Sequence, residues 1–126
     1  ACESSNTGSL WPVHDAALQT AYAACTFPDS PSLLEGFGLP VLESLARGNP
    51  CICSARGALG ESAAGGGCVA LDRVTAPKLA GAIGDLLAQP SALAALGTAA
   101  RARKFRTQSD YAAELATWLS ELPRRA

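Results

Sequence analysis

The chain has 126 residues, enough for one domain with one hydrophobic core, and 48% apolar against 17% charged residues is the balance of a soluble globular protein. A formal net charge of −1 gives no footing for nucleic-acid binding, no apolar run reaches bilayer length, and no basic, then apolar leader opens the chain. Abundant alanine and the absence of methionine point to an excised or mature piece rather than a chain with its own start.

In chain order, residues 1–14 are polar and unpatterned. Asp15 is placed to cap a helix that runs to about Ala24, with Leu18, Ala21, Tyr22 and Cys25 along one side. Cys25-Thr26-Phe27 begins a strand that Pro28 and Asp29 interrupt. Proline removes a ladder donor and a buried unpaired carboxylate is costly, so this strand is expected to be short, at an edge or distorted. A helix over residues 40–47 follows a glycine-containing loop and ends at Gly48, a good left-handed terminator. Asn49-Pro50 then turns the chain into a strand, Cys51–Ser54. Strand, loop, helix, strand is a parallel crossover unit, which places ligands at the carboxyl ends of its strands.

Residues 56–61 read as a loop, and Gly65-Gly66-Gly67 as a flexible turn into a last strand, Cys68–Leu71. Helices fill the remainder. Thr75 and Pro77 open one whose Leu79, Ile83, Leu86 and Leu87 share a face, and Ser91 is placed to cap the next, with Leu93, Leu96 and Ala100 inward. In the last helix Tyr111, Leu115, Trp118, Leu119 and Leu122 form a stripe that reads as core packing. The basic cluster Arg101, Arg103, Lys104 and Arg106 before it reads as a solvated helix end. Together these elements give an α/β fold, a three-layer domain with a small, mostly parallel sheet. The five cysteines, Cys2, Cys25, Cys51, Cys53 and Cys68, form no C-x-x-C pair, and His14 has no ligand partner nearby in sequence, so structural thiols and no metal site are expected.

The stretch Pro31-Ser32-Leu33-Leu34-Glu35-Gly36-Phe37-Gly38-Leu39-Pro40-Val41-Leu42-Glu43 carries the chemistry. Gly36 and Gly38 leave the backbone open to a ligand, and Pro40 suits the start of a helix. The free N–H groups of a helix's first turn and the positive end of its dipole favour a phosphate with no lysine required. Glu43, about one turn into that helix, is placed to accept hydrogen bonds from a vicinal diol such as a ribose's, and Glu35, before the turn, to meet a hexose hydroxyl. Taken singly, either glutamate is as easily a solvated charge, and Phe37 reads most simply as a plug packing the turn against the core.

This run, with Glu-Ser-Leu-Ala-Arg-Gly-Asn-Pro after it, resembles the E-x7-E signature of retaining glycosyltransferases of the GT-B fold, the large group that includes bacterial polysaccharide mannosyltransferases. The resemblance covers about residues 10–122. It implies that residues 1–126 are part of the Rossmann-like C-terminal half, the nucleotide-sugar-binding domain, truncated at its N-terminal side. Glu43 matches the glutamate that holds the ribose diol. Glu35 matches the one that faces the donor hexose, a catalytic position to which no nucleophilic role is assigned. Gly36, Phe37 and Gly38 match the turn that touches sugar hydroxyls, and Leu39 and Pro40 the residues near the diphosphate. The implied donor is a UDP- or GDP-hexose, bound without metal or other cofactor. The acceptor is a saccharide or a lipid-linked one, and the implied location is the cytoplasm or the inner membrane face. The expected partner is the missing N-terminal half or another chain, and the isolated chain is expected to be inactive. The Pro28-Asp29 break departs from the family pattern and bears on Glu35, and Gly60 stands where the family carries proline, which should loosen the start of the next helix. A non-catalytic sugar-nucleotide-binding module and a structural remnant that assembles with another chain are the alternatives.

Overall fold

A computed structural model describes residues 13–123. The elements in order are α1 (Asp15–Ala24), β1 (Asp29–Ser30), α2 (Leu39–Ala46), β2 (Cys51–Ser54), α3 (Gly57–Ala63), β3 (Cys68–Leu71), α4 (Ala76–Ala88), α5 (Pro90–Ala102) and α6 (Gln108–Glu121). The three strands form one parallel sheet in the order β1-β2-β3, with Asp29 opposite Ile52 and Cys51 opposite Cys68. Side chains alternate along β2. Cys51 and Cys53 face a core built with Val41 and Leu45 of α2, Leu59 and Ala63 of α3, and Ala100 of α5. Ile52 points to the other face and is also buried, so the sheet is covered on both sides and the domain has the three layers of a Rossmann-like α/β fold.

The first strand forms after Pro28, not at residues 25–27 as expected. The Pro28 carbonyl accepts from the Ile52 N–H at 3.2 Å, and pairing starts where the chain again has a donor to give. With two residues it is short and lies at an edge, and Asp29 stays exposed in water. Two helix starts also differ from expectation. Asp15 is the first residue of α1 rather than its cap, and α5 begins at Pro90, so Ser91 lies inside its first turn. The loop expected over residues 56–61 is largely helix α3, which contains Gly60.

The end of α2 follows its sequence signal closely. Gly48 at φ 78° places its N–H on the Leu45 carbonyl at 2.9 Å and the Asn49 N–H on Ser44 at 3.0 Å, which satisfies two carbonyls at the helix end. Gly66 and Gly67, at φ 88° and 83°, make the turn into β3.

Helix α6 departs most from the sequence reading. Its stripe is not core: Tyr111, Trp118 and Leu119 are each more than half exposed, and no residue of α6 is buried. It is held at its start by a capping box. The Asp110 N–H donates to Thr107 Oγ1 at 3.1 Å, while the Asp110 carboxylate accepts from the Thr107 N–H and hydroxyl at 2.8 and 2.7 Å. The backbone and then the side-chain bond from Thr107 hold the Asp110 carboxyl below its ordinary range. A lowered folded-state pKa contributes stability above the unfolded pKa and loses it as pH falls through the folded one. The first turn of α6 should therefore fray as pH drops below about 4, ahead of the core, and Asp110→Asn should remove that pH step. Backbone chemical shifts of residues 108–112 against pH provide the check; an unchanged step in the Asn variant would contradict it.

Candidate functional site

The glycine turn sits where β1 hands the chain to α2. Gly38 is buried at φ 75° and forms the N-cap of α2, and an added Cβ would stand 2.9 Å from Leu59 Cδ2. No other residue fits that conformation and that gap without strain. The Gly38 carbonyl accepts from Val41 and Leu42 at 3.2 and 3.3 Å, closing the first turn of α2, and Pro40, second in the helix rather than first, has no N–H to satisfy. What remains is a row of donors. The amides of Gly36, Phe37, Gly38 and Leu39 make no hydrogen bond to any described residue, and Gly36 has open space where a side chain would be.

Glu43 follows one turn later. It lines an open groove of about 860 Å³ together with Phe37, Leu39, Leu42 and Arg47; the opposite wall is made by the chain leading into α6, from Lys104 to Gln108, with Tyr111. The groove thus brings together Phe37, Leu39 and Glu43 of the predicted residues. Glu35, Gly36, Gly38 and Pro40 are not part of its lining. Glu35 is half-buried and makes no side-chain hydrogen bond to a described residue. Phe37 is 66% exposed, so it is a groove wall and not the plug its position between glycines suggested.

The basic cluster is also more than a solvated helix end. Arg103 donates to the carbonyls of Ser62 at 2.6 Å and Gly66 at 3.3 Å with its guanidinium over the Phe105 ring, so it ties the last turn of α3 to the Gly66-Gly67 turn that leads into β3. Arg106 pairs with Glu114 and lies over the ring of Tyr111. Lys104 keeps its charge free of any ion pair among the described residues and lines the groove. Sequence reasoning missed this second wall because tertiary packing alone brings residues 104–111 against α2. It also passed over Arg47, although Glu43 and Arg47 stand four apart on one helix face, a spacing visible in the sequence.

The described cysteines are free thiols. Burial, first of all, pushes the Cys51 thiol up to about 12, and the Cys68 thiol is raised by its hydrogen bond with Cys53 and by burial. Both stay protonated, as expected of structural thiols; Cys2 lies outside the described residues. Among the described residues no group of three or more His, Cys, Asp or Glu is placed to hold a metal ion, and no single helix is long and apolar enough to cross a membrane.

Comparison with known proteins bears on the family of the chain. The chain is 36% identical over 118 residues to an "MMP alpha-(1->4)-mannosyltransferase" of Mycolicibacterium hassiacum, a match that covers 88% of this chain and 27% of that protein. The chain therefore spans about a quarter of the length of this curated relative. No solved structure matches it. The sequence model of the family described as glycosyl transferases group 1 matches residues 4–103, most of the domain and the whole of the glycine turn and α2. The chain belongs to the group 1 glycosyltransferase family.

Proposed function

We propose that residues 1–126 form the donor-binding part of a retaining glycosyltransferase of GT-B architecture, one that moves a hexose from UDP or GDP to a saccharide or lipid-linked acceptor in the assembly of a bacterial polysaccharide. The observation that carries this reading is the row of unbonded amides from Gly36 to Leu39 running into a helix whose second turn bears Glu43. The amides and the helix start receive the diphosphate and stabilise the charge that grows on it as it leaves, through an oxocarbenium-like state with retained anomeric configuration. Glu43 accepts from the ribose diol, and Glu35 faces the hexose. The mannosyl relative supports a hexose as the transferred group. No metal is required, because these fixed dipoles take the place of a cation.

The exposed stripe of α6, together with Leu33 at 76% and Leu34 at 88% exposure beside the motif, favours assembly with the other half of the cleft. The donor assignment is tested by titrating the chain with UDP, GDP and their hexoses. Glu43→Ala should weaken binding by about 1.5 to 3 kcal/mol, the range for a hydrogen bond to a charged group, and Glu43→Gln by less. Equal affinity in a folded Glu43→Ala variant would remove the assignment.

A further inference from the structure

Helix α1 precedes the motif and contributes nothing to the groove beside Glu43, yet it is fastened to α2 at both ends. Near the start of α2, the buried Tyr22 donates its hydroxyl to the Pro40 carbonyl in a long hydrogen bond of 3.3 Å. Near its end, the Arg47 guanidinium lies 4.6 Å from the centroid of the Tyr22 ring, donates to the Glu43 carbonyl at 2.7 Å and is anchored on Gln19 of α1 at 3.0 Å. Just past α2, Asn49 donates to the Tyr22 carbonyl at 2.7 Å. One aromatic side chain therefore touches the backbone on one side of Glu43 and, through Arg47, the backbone of Glu43 itself.

The Tyr22 hydroxyl is raised above its ordinary pKa by burial and then by the nearby Glu43 charge, so it stays a neutral donor and places no second negative charge beside the glutamate. Val41, Ser44 and Leu45 seat one side of this eight-residue helix in the core, while Pro40, Glu43 and Arg47 lie on its other side, where the contacts with α1 are made. A small tilt moves a carboxylate one turn from the helix start by a distance that matters to a two-point hydrogen bond.

We propose that Tyr22 is a positioning residue for the donor nucleoside: by bracing α2 on α1 it sets the direction from which Glu43 meets the ribose diol. The inference rests on the donor reading above and adds to it a residue that touches neither substrate nor reacting atoms.

The test compares a ribonucleoside diphosphate with its 2′,3′-dideoxy counterpart, for uridine and guanosine, by calorimetric titration of the full chain. The native chain should prefer the diol form by about tenfold or more, the value of a hydrogen bond to a carboxylate. Tyr22→Phe keeps the ring under Arg47 and should lose about threefold of that preference; Tyr22→Leu loses the ring as well and should lose about tenfold. Both variants should bind the dideoxy form as the native chain does. Combined with Glu43→Ala, neither substitution should cost anything more, because the group through which Tyr22 acts is gone.

If the Leu variant does not fold, the Phe variant alone decides. Equal losses for diol and dideoxy nucleotides, or an undiminished preference in Tyr22→Phe, would overturn the bracing role while leaving the donor site standing. A native chain with no preference for the diol would remove the donor reading and this inference with it.

Discussion

Purified alone and given donor and acceptor, the 126-residue chain is expected to transfer no hexose, while a longer polypeptide carrying both halves of the cleft does. The chain spans 27% of its curated relative, and the apolar residues around its motif are uncovered: Leu33, Leu34, Phe37 and Leu39 are each more than half exposed. An open surface of that kind cannot hold an acceptor hydroxyl against an anomeric carbon or keep water away from it. Positioning of two reactants supplies up to about 7–11 kcal/mol of a barrier, so its loss is worth many orders of magnitude in rate. The assay is acceptor-dependent release of nucleoside diphosphate by the short and extended chains. Comparable rates would show that one half suffices.

The second large effect is on stability, at Gly60. An added Cβ there would stand 2.2 Å from the Ala55 carbonyl oxygen and 2.6 Å from its carbon, both backbone atoms in the turn between β2 and α3. Neither can swing aside as a side-chain tip would, so α3 must move away from the sheet. Since Leu59 of α3 packs against Gly38, the glycine turn moves with it. Gly60→Ala is expected to cost about 3 kcal/mol, the upper end for overpacking, and with it donor affinity. Thermal melting that places the variant within about 2 °C of the native chain would show that the close approach is absent.

The elements that could be read from the sequence are those whose signals are local. Cys51–Ser54, Cys68–Leu71 and the glycine stop at Gly48 depend on alternation and on one residue's access to positive φ, and all three stand where the sequence puts them. β1 did not, because Pro28 shifts pairing by its missing donor, and only the partner strand decides where pairing resumes. α6 was legible as a helix through its periodicity, but periodicity states only that a face is apolar. Whether that face is covered depends on tertiary packing, and within the described residues it is exposed. The site divides in the same way: the turn and Glu43 are contiguous in sequence and were visible, whereas Lys104, Tyr111 and the Tyr22–Arg47 brace reach α2 only through folding.

The most direct test of the donor site is a nuclear magnetic resonance titration of the isotopically labelled chain with UDP- and GDP-hexoses in the presence of EDTA. The account predicts saturable shifts at the amides of Gly36, Phe37, Gly38 and Leu39, the same at every EDTA concentration and much reduced by Glu43→Ala. Shifts that avoid this turn, or that appear only when manganese or magnesium is restored, would contradict it.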